Sequence, residues 1–285
     1  MSDNVVDKDL SDQDLAEAPV QQDVPSPRKD SPELVVSELG RRLDDCVILL
    51  DIDGTLLDLA ATPREVWVPP GLRETLNRLL GKTSGALALV SGRSLNDIDL
   101  IFAPELFPAV GGHGAEMRLS GDSEAVATHA PPMDKELKRR LAAIAQLSPG
   151  ILLEDKGYSL ALHYRLAPHA EKAIYAAVSL IRADLPNAPI EVMPGKCVCE
   201  IKHSGFSKAT GVIELMTHEP FKGRRPIFIG DDVTDESVFA IMPKLGGLAF
   251  SVGRRAMGVA HHFDEPRDVR RWLARLLDDE AAAGP

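Results

Sequence analysis

Three continuous apolar runs, at 46–50, 86–90 and 226–229, set the strongest constraint on how this chain of 285 residues can fold. A strand with one wet face alternates apolar and polar residues, so an unbroken apolar run fits a strand buried on both faces. Between the runs the spacing changes. Residues 69–80 place Leu72, Leu76, Leu79 and Leu80 at helical intervals, and a second helical stretch covers 94–102. The same alternation returns late, with a helix over 207–216, the strand 226–229, a helix over 234–241, the strand 248–252 and an amphipathic helix over 268–277. Strand alternating with helix predicts an α/β fold, a Rossmann-like core built on a parallel sheet.

The middle of the chain reads differently. It predicts a helix over 133–147, a strand pair around 155–157, a helix over 168–185 and two further strands ending at Ile201. That is an α+β cap domain inserted into the core. The boundaries drawn from the pattern are core at 44–117 and 204–285, cap at 118–203, and a mostly disordered acidic tail at 1–43. The tail is rich in Asp, Ser, Pro and Gln and has little that could pack.

The formal net charge is −11, of which −6 belongs to the first 33 residues, with nine acids against three bases. An acidic chain argues against nucleic-acid binding, which needs a basic face to displace counterions. It argues equally against attachment to anionic lipid. No apolar run is long enough to span a bilayer, and no secretory signal is visible. The odd count of three cysteines, Cys46, Cys197 and Cys199, points to a reducing compartment, so a cytoplasmic protein is expected. The oligomeric state is open, with a monomer favoured.

Each core strand ends in polar residues. The first runs into Asp51-Ile52-Asp53-Gly54-Thr55, the second into Ser91-Gly92-Arg93, and the late one into Gly230-Asp231-Asp232-Val233-Thr234-Asp235. In open α/β sheets ligands bind at the carboxyl ends of the strands, so these sets are expected to meet in one crevice. Asp51, Asp53, Asp231, Asp232 and Asp235 would then crowd together. Carboxylates so close cannot all stay ionised without a cation, and an all-oxygen set favours Mg²⁺. With the metal bound, the site can accept a phosphate. Asp51 could attack phosphorus as a nucleophile, and Asp53 could serve the leaving oxygen as acid and then water as base.

Other motifs fall away on inspection. An EF-hand loop starting at Asp51 would need Gly at Leu56 and Glu at Thr62. A P-loop ending in Gly81-Lys82-Thr83 would need Gly at Leu76. Cys197 and Cys199 lack partners at zinc spacing.

The Asp-x-Asp-Gly-Thr segment, Ser91 at the second strand's end, Lys208 opening a helix, and the Gly-Asp-Asp set resemble the four motifs of the haloacid-dehalogenase-type (HAD) phosphatases. The resemblance implies Asp51 as nucleophile, Asp53 as general acid/base, Asp231 as direct metal ligand, Asp232 and Asp235 as support for the metal or its waters, and Ser91 and Lys208 as holders of the phosphoryl group. Within that superfamily the segments 111–116, 154–165, 195–202 and 230–236 resemble the trehalose-phosphatase family, over about residues 45–275. That likeness implies hydrolysis of trehalose 6-phosphate, a small-molecule substrate. It implies sugar binding by Glu154, Lys156, Lys196 and Glu200, and a cleft lined by Arg93 and Glu116. The chain departs from the family pattern at Ala209, usually Gly, and at His203, often Pro.

Period-two spacing over 196–202 independently puts Cys197, Cys199 and Ile201 on one face and Lys196, Val198, Glu200 and Lys202 on the other. The polar face reads either as a solvated strand face or as a platform for sugar hydroxyls. The rival functions are another sugar-phosphate phosphatase, a phosphomutase of the same type, and a non-catalytic phosphosugar sensor.

Overall fold

The computed structural model describes residues 43–60, 65–122, 130, 132–195, 197–259 and 261–278. Apart from Leu43, the segment assigned to the acidic tail lies outside them, as does Lys196.

Strand β1 (Cys46–Leu50) is central to a seven-stranded sheet and is buried along its whole length. Its two faces serve two cores. Ile48 and Leu50 join Leu87, Leu89, Ile227 and Ile229 on one side. Val47 and Leu49 join Ala88, Val90 and Phe228 on the other. This double burial is why the run is unbroken. Parallel to β1 lie β2 (Leu87–Val90) on one edge and β9 (Arg225–Gly230) on the other. Beyond β9 come β10 (Leu248–Val252) and β11 (His261–Phe263); beyond β2 comes β3 (Ala109–Gly111), all parallel. The antiparallel β4 (Glu116–Arg118) closes the sheet beside β3.

Helices cover both faces. Leu72, Leu76 and Leu79 of α1 (Leu72–Lys82), Ile98 of α2 (Leu95–Phe102), and Val269 and Trp272 of α7 (Pro266–Asp278) pack into the Ile48 core. Val212 and Leu215 of α5 (Lys208–Leu215) and Val238 and Phe239 of α6 (Glu236–Ile241) pack into the Val47 core.

The inserted cap has its own core. Helices α3 (Lys135–Ala142) and α4 (Glu171–Asp184) lie on a four-stranded antiparallel sheet of order β5-β6-β8-β7. These strands are β5 (Leu152–Asp155), β6 (Ser159–His163), β7 (Ile190–Gly195) and β8 (Val198–His203). Leu160, Leu162, Cys199 and Ile201 face Leu137, Leu141, Ile174 and Val178 of the helices. Alternation therefore turns Ser159, His163, Glu200 and Lys202 to the opposite face.

Three features escape the sequence pattern. Strands β3, β4 and β11 have three residues each, too few for a period to register. The stretch predicted as helix 133–147 is α-helical only to Ala142 and continues as a 3₁₀ turn, Ala143–Leu147. Strand β4 also carries the core sheet to Arg118, one residue into the segment assigned to the cap.

Helix α5 packs close to the loop after β3. A Cβ on Gly211 would lie 2.5 Å from Val110 Cγ1 and 3.0 Å from Gly114 Cα. Alanine gains about 1 kcal/mol of helix propensity over glycine, but overpacking against backbone costs about 1–3 kcal/mol. Gly211→Ala is therefore expected to lower the urea midpoint despite the better helix former; a raised midpoint would contradict this packing.

Candidate active site

The carboxyl ends of β1, β2 and β9 carry the polar residues. Asp51 directly follows β1, and its N–H donates to Ile229 O of β9 at 3.0 Å. Gly54, at φ +82°, permits a close approach of two loops: a Cβ there would fall 2.0 Å from Asp231 Oδ2. A bulkier residue at this position would drive Asp231 away from Asp51.

Lys208 is the first residue of α5. Ser207 caps that helix, accepting from the Thr210 N–H at 3.2 Å while its own N–H donates to Thr210 Oγ1 at 2.8 Å. This reciprocal cap fixes where the helix begins. The Lys208 ammonium then donates to Asp51 Oδ1 and to Asp235 Oδ1, each at 2.7 Å. Asp235 Oδ2 accepts the backbone N–H groups of Asp231 and Asp232, each at 3.0 Å. One buried carboxylate thus shapes the β9 loop and anchors the lysine.

Burial raises the Asp51 carboxyl well above the usual range, although Lys208 pulls against the shift. Burial, reinforced by the neighbouring Asp235, pushes Asp231 up to about 6. For Lys208, burial opposes the charge, but Asp51 and Asp235 outweigh it and hold the ammonium protonated. Asp51, Asp231 and Asp235 each bring one carboxylate oxygen within 4.8 Å of the others. Three carboxylates against one ammonium leave surplus negative charge, and the all-oxygen donor set fits a hard divalent cation.

Two of the five aspartates stand apart from this group. Both oxygens of Asp53 are held by the Arg93 guanidinium, at 2.6 Å each. Asp232 is exposed and bonds the Val233 N–H at 2.7 Å, capping the short 3₁₀ turn of residues 233–235. Local hydrogen bonding wins over convergence at both positions. Ser91 is buried, its Oγ accepting the Arg93 N–H at 3.2 Å.

The cap contributes a second polar group. Glu200 Oε1 accepts from Ser159 Oγ at 2.8 Å and from Lys156 Nζ at 3.4 Å. Glu154 lies on the edge strand β5 and pairs with His163 Nε2 at 2.9 Å. Lys196 falls outside the described residues. Glu116, expected along the cleft, ties core to cap: Oε2 accepts the Leu95 N–H at 2.6 Å, and Oε1 accepts the Tyr158 hydroxyl at 3.1 Å. Tyr158, Ser159 and His113 carry no assigned role in the sequence reading. The signal for His113 was the Gly-rich run 111–114 around it, which demands unusual backbone at φ +55°, +56° and +101° for residues 112, 113 and 114.

A cavity of about 220 Å³, lined by Gly54, Asp58, Asp231 and Gly253 among others, opens beside the carboxylates. A larger surface groove of about 580 Å³ along α1, lined by Arg73, Glu74 and Glu105, includes none of these residues.

Comparison with known proteins bears on this geometry. The trehalose-phosphatase family profile matches residues 49–268. The trehalose-6-phosphate phosphatase of Escherichia coli is 39% identical over 228 residues, covering 79% of this chain and 84% of the relative. A protein of Sinorhizobium fredii, named as a probable trehalose-phosphate phosphatase, is 43% identical over 76% of this chain and 82% of its own. Among solved structures, the C-terminal domain of the C. albicans trehalose-6-phosphate phosphatase superposes with a TM-score of 0.72 at 21% identity, covering 87% of this chain and 96% of that one.

The raised carboxyls have a consequence for stability. The folded chain keeps the Asp231 proton up to about pH 6, whereas the unfolded chain releases it near the ordinary value of 3.8. The group therefore favours folding fully below that lower value, and the benefit is lost as pH rises towards 6. In chelator-treated protein, the stability of the wild type relative to Asp231→Asn should fall from pH 4 to pH 6 and then level off. Urea titrations across that range measure it; a flat difference would contradict the assignment.

Proposed function

As this chain belongs to the trehalose-phosphatase family, we propose that it hydrolyses trehalose 6-phosphate to trehalose and phosphate through an aspartyl phosphate on Asp51. The observation that carries this reading is the buried Lys208 ammonium, 2.7 Å from both Asp51 and Asp235. It holds the nucleophile by one oxygen and leaves the second to attack. It also places fixed positive charge where phosphate oxygens must sit.

Asp51, Asp231 and Asp235 are the residues that would hold the divalent ion, and Mg²⁺ is the ion we assign to them. When bound, Mg²⁺ supplies the positive charge that lets an anionic substrate approach the carboxylates. Attack by Asp51 forms a carboxylate–phosphorus bond and breaks the bond from phosphorus to the sugar oxygen. The electron pair leaves on that oxygen, which takes a proton from Asp53. Water then attacks phosphorus, yields its proton to Asp53, and restores the Asp51 carboxylate.

Both Asp53 oxygens are engaged by Arg93, so Arg93 must turn away before Asp53 can carry a proton. An incoming phosphate is an anion able to draw the guanidinium off. The cap, with Lys156 and Glu200 joined on one face, supports the assignment of a sugar platform above the phosphate site. The alternation of strand β8 favours this over a merely solvated face, since Glu200 is largely buried while facing away from the cap's own core. The odd count of three cysteines supports a reducing, cytoplasmic setting, and a monomer remains our working assembly. Among the described residues no helix is long and apolar enough to cross a membrane.

Asp51→Asn is expected to abolish phosphate release from trehalose 6-phosphate while retaining the wild-type thermal transition. Retained turnover would overturn the nucleophile. Asp53→Asn should lose about 10²–10⁴-fold on the sugar phosphate and less on p-nitrophenyl phosphate, whose leaving group departs without a proton. Equal losses would remove Asp53 from the acid role. Equal wild-type turnover of sucrose, mannose and trehalose phosphates would overturn the substrate assignment.

A further inference from the structure

The ring of His113 stands at the junction of core and cap. Its backbone is left-handed, at φ +56°, and its N–H donates to Ser91 O at 3.0 Å. A Cβ on Gly92 would fall 2.4 Å from the ring's Cε1 and Nε2. The imidazole therefore lies against the loop that carries Ser91 and Arg93. On its other side is the cap: His113 Nε2 is 4.0 Å from Glu200 Oε2, with both side chains about 15% exposed or less. His113 Nδ1 is buried with no hydrogen-bond partner among the described residues.

A separation of 4.0 Å is too long for a hydrogen bond. It suits a third atom. An oxygen about 2.8 Å from both would subtend an angle of roughly 90° between them, acceptable for a hydroxyl that accepts from one side and donates to the other. Glu200 Oε1 is already taken by Ser159 and Lys156, so Oε2 is the oxygen turned to His113.

The charge state fits. Burial lowers the His113 ring to about 4, with Glu200 opposing and Lys208, Lys156 and Lys202 assisting. The ring is neutral near pH 7, with one donor and one acceptor. The carboxylate opposite Nε2 selects the tautomer that carries its proton there. A neutral donor paired with a carboxylate repels a phosphate and accepts a hydroxyl.

We propose that His113 and Glu200 together grip one sugar hydroxyl of the substrate, His113 Nε2–H donating and Glu200 Oε2 accepting. This rests on the phosphatase reading above. It makes His113 a specificity-determining residue supplied by the core rather than the cap. Half of the grip rides on each domain, so the hydroxyl is held only when the cap stands over the core. The same contact reads the sugar and registers the cap.

The test compares kcat/KM for trehalose 6-phosphate with that for p-nitrophenyl phosphate, which has no sugar hydroxyl. Asparagine tolerates the left-handed backbone but is too short to span the gap, so His113→Asn is the first variant. The ratio should fall about 10- to 100-fold, the scale of one hydrogen bond shared with a charged group. The loss should lie in KM, because the hydroxyl is not a reacting atom. In a cycle with Glu200→Gln, the double variant should lose less than the product of the two single losses. An unchanged ratio, or losses that multiply in full, would overturn the proposal. His113→Gly, which also suits the backbone, is read the same way if His113→Asn shows no thermal transition. Wild-type protein that releases no phosphate from trehalose 6-phosphate would overturn the phosphatase reading instead.

Discussion

The bridge from Lys208 to Asp51 and Asp235 is the contact on which the site depends. One ammonium, buried at the first turn of α5, meets a carboxylate from the β1 loop and another from the β9 loop. Removing the Lys208 ammonium would leave two carboxylates uncompensated in a water-poor interior, a loss of about 3–5 kcal/mol, whereas neutralising Asp51 leaves the lysine paired with Asp235. Segments distant in sequence are thereby locked together, and Asp235 passes the constraint on through the N–H groups of Asp231 and Asp232. The glycines follow from the same demand for proximity: without Gly54 the two acidic loops could not approach.

The remaining negative charge explains the division of labour around the bridge. Burial raises the Asp51 and Asp231 carboxyls, and a single lysine offsets only part of three carboxylates, so the cluster's all-oxygen donors fit a cation. Asp53 stands outside that cluster, with both of its oxygens held by Arg93. The net charge of −11 is therefore a poor guide to substrate charge, since part of it lies in a carboxylate cluster whose donors fit a cation.

Much of this was legible from local pattern. The runs at 46–50 and 226–229 announce β1 and β9 because double burial leaves no polar positions. Cys199 and Ile201 against Glu200 and Lys202 announce the two faces of β8 because a strand has a period of two. The three-residue strands were invisible for the same reason, having no room for a period. The expectation that five aspartates converge outran the pattern. Being near the ends of adjacent strands brings Asp51, Asp231 and Asp235 together, but it says nothing of how each side chain turns.

The sequence by itself determined the α/β core, the inserted cap, the strand ends that carry the chemistry and the family, because periodicity and short motifs are written in contiguous residues. Only the tertiary structure decided the partners. Arg93 takes Asp53, Glu116 takes Leu95 and the Tyr158 of the cap, and His113 comes to stand opposite Glu200. Those choices are made between groups separated by tens of residues, where hydrogen-bond geometry and burial compete, and no local spacing records which of them wins.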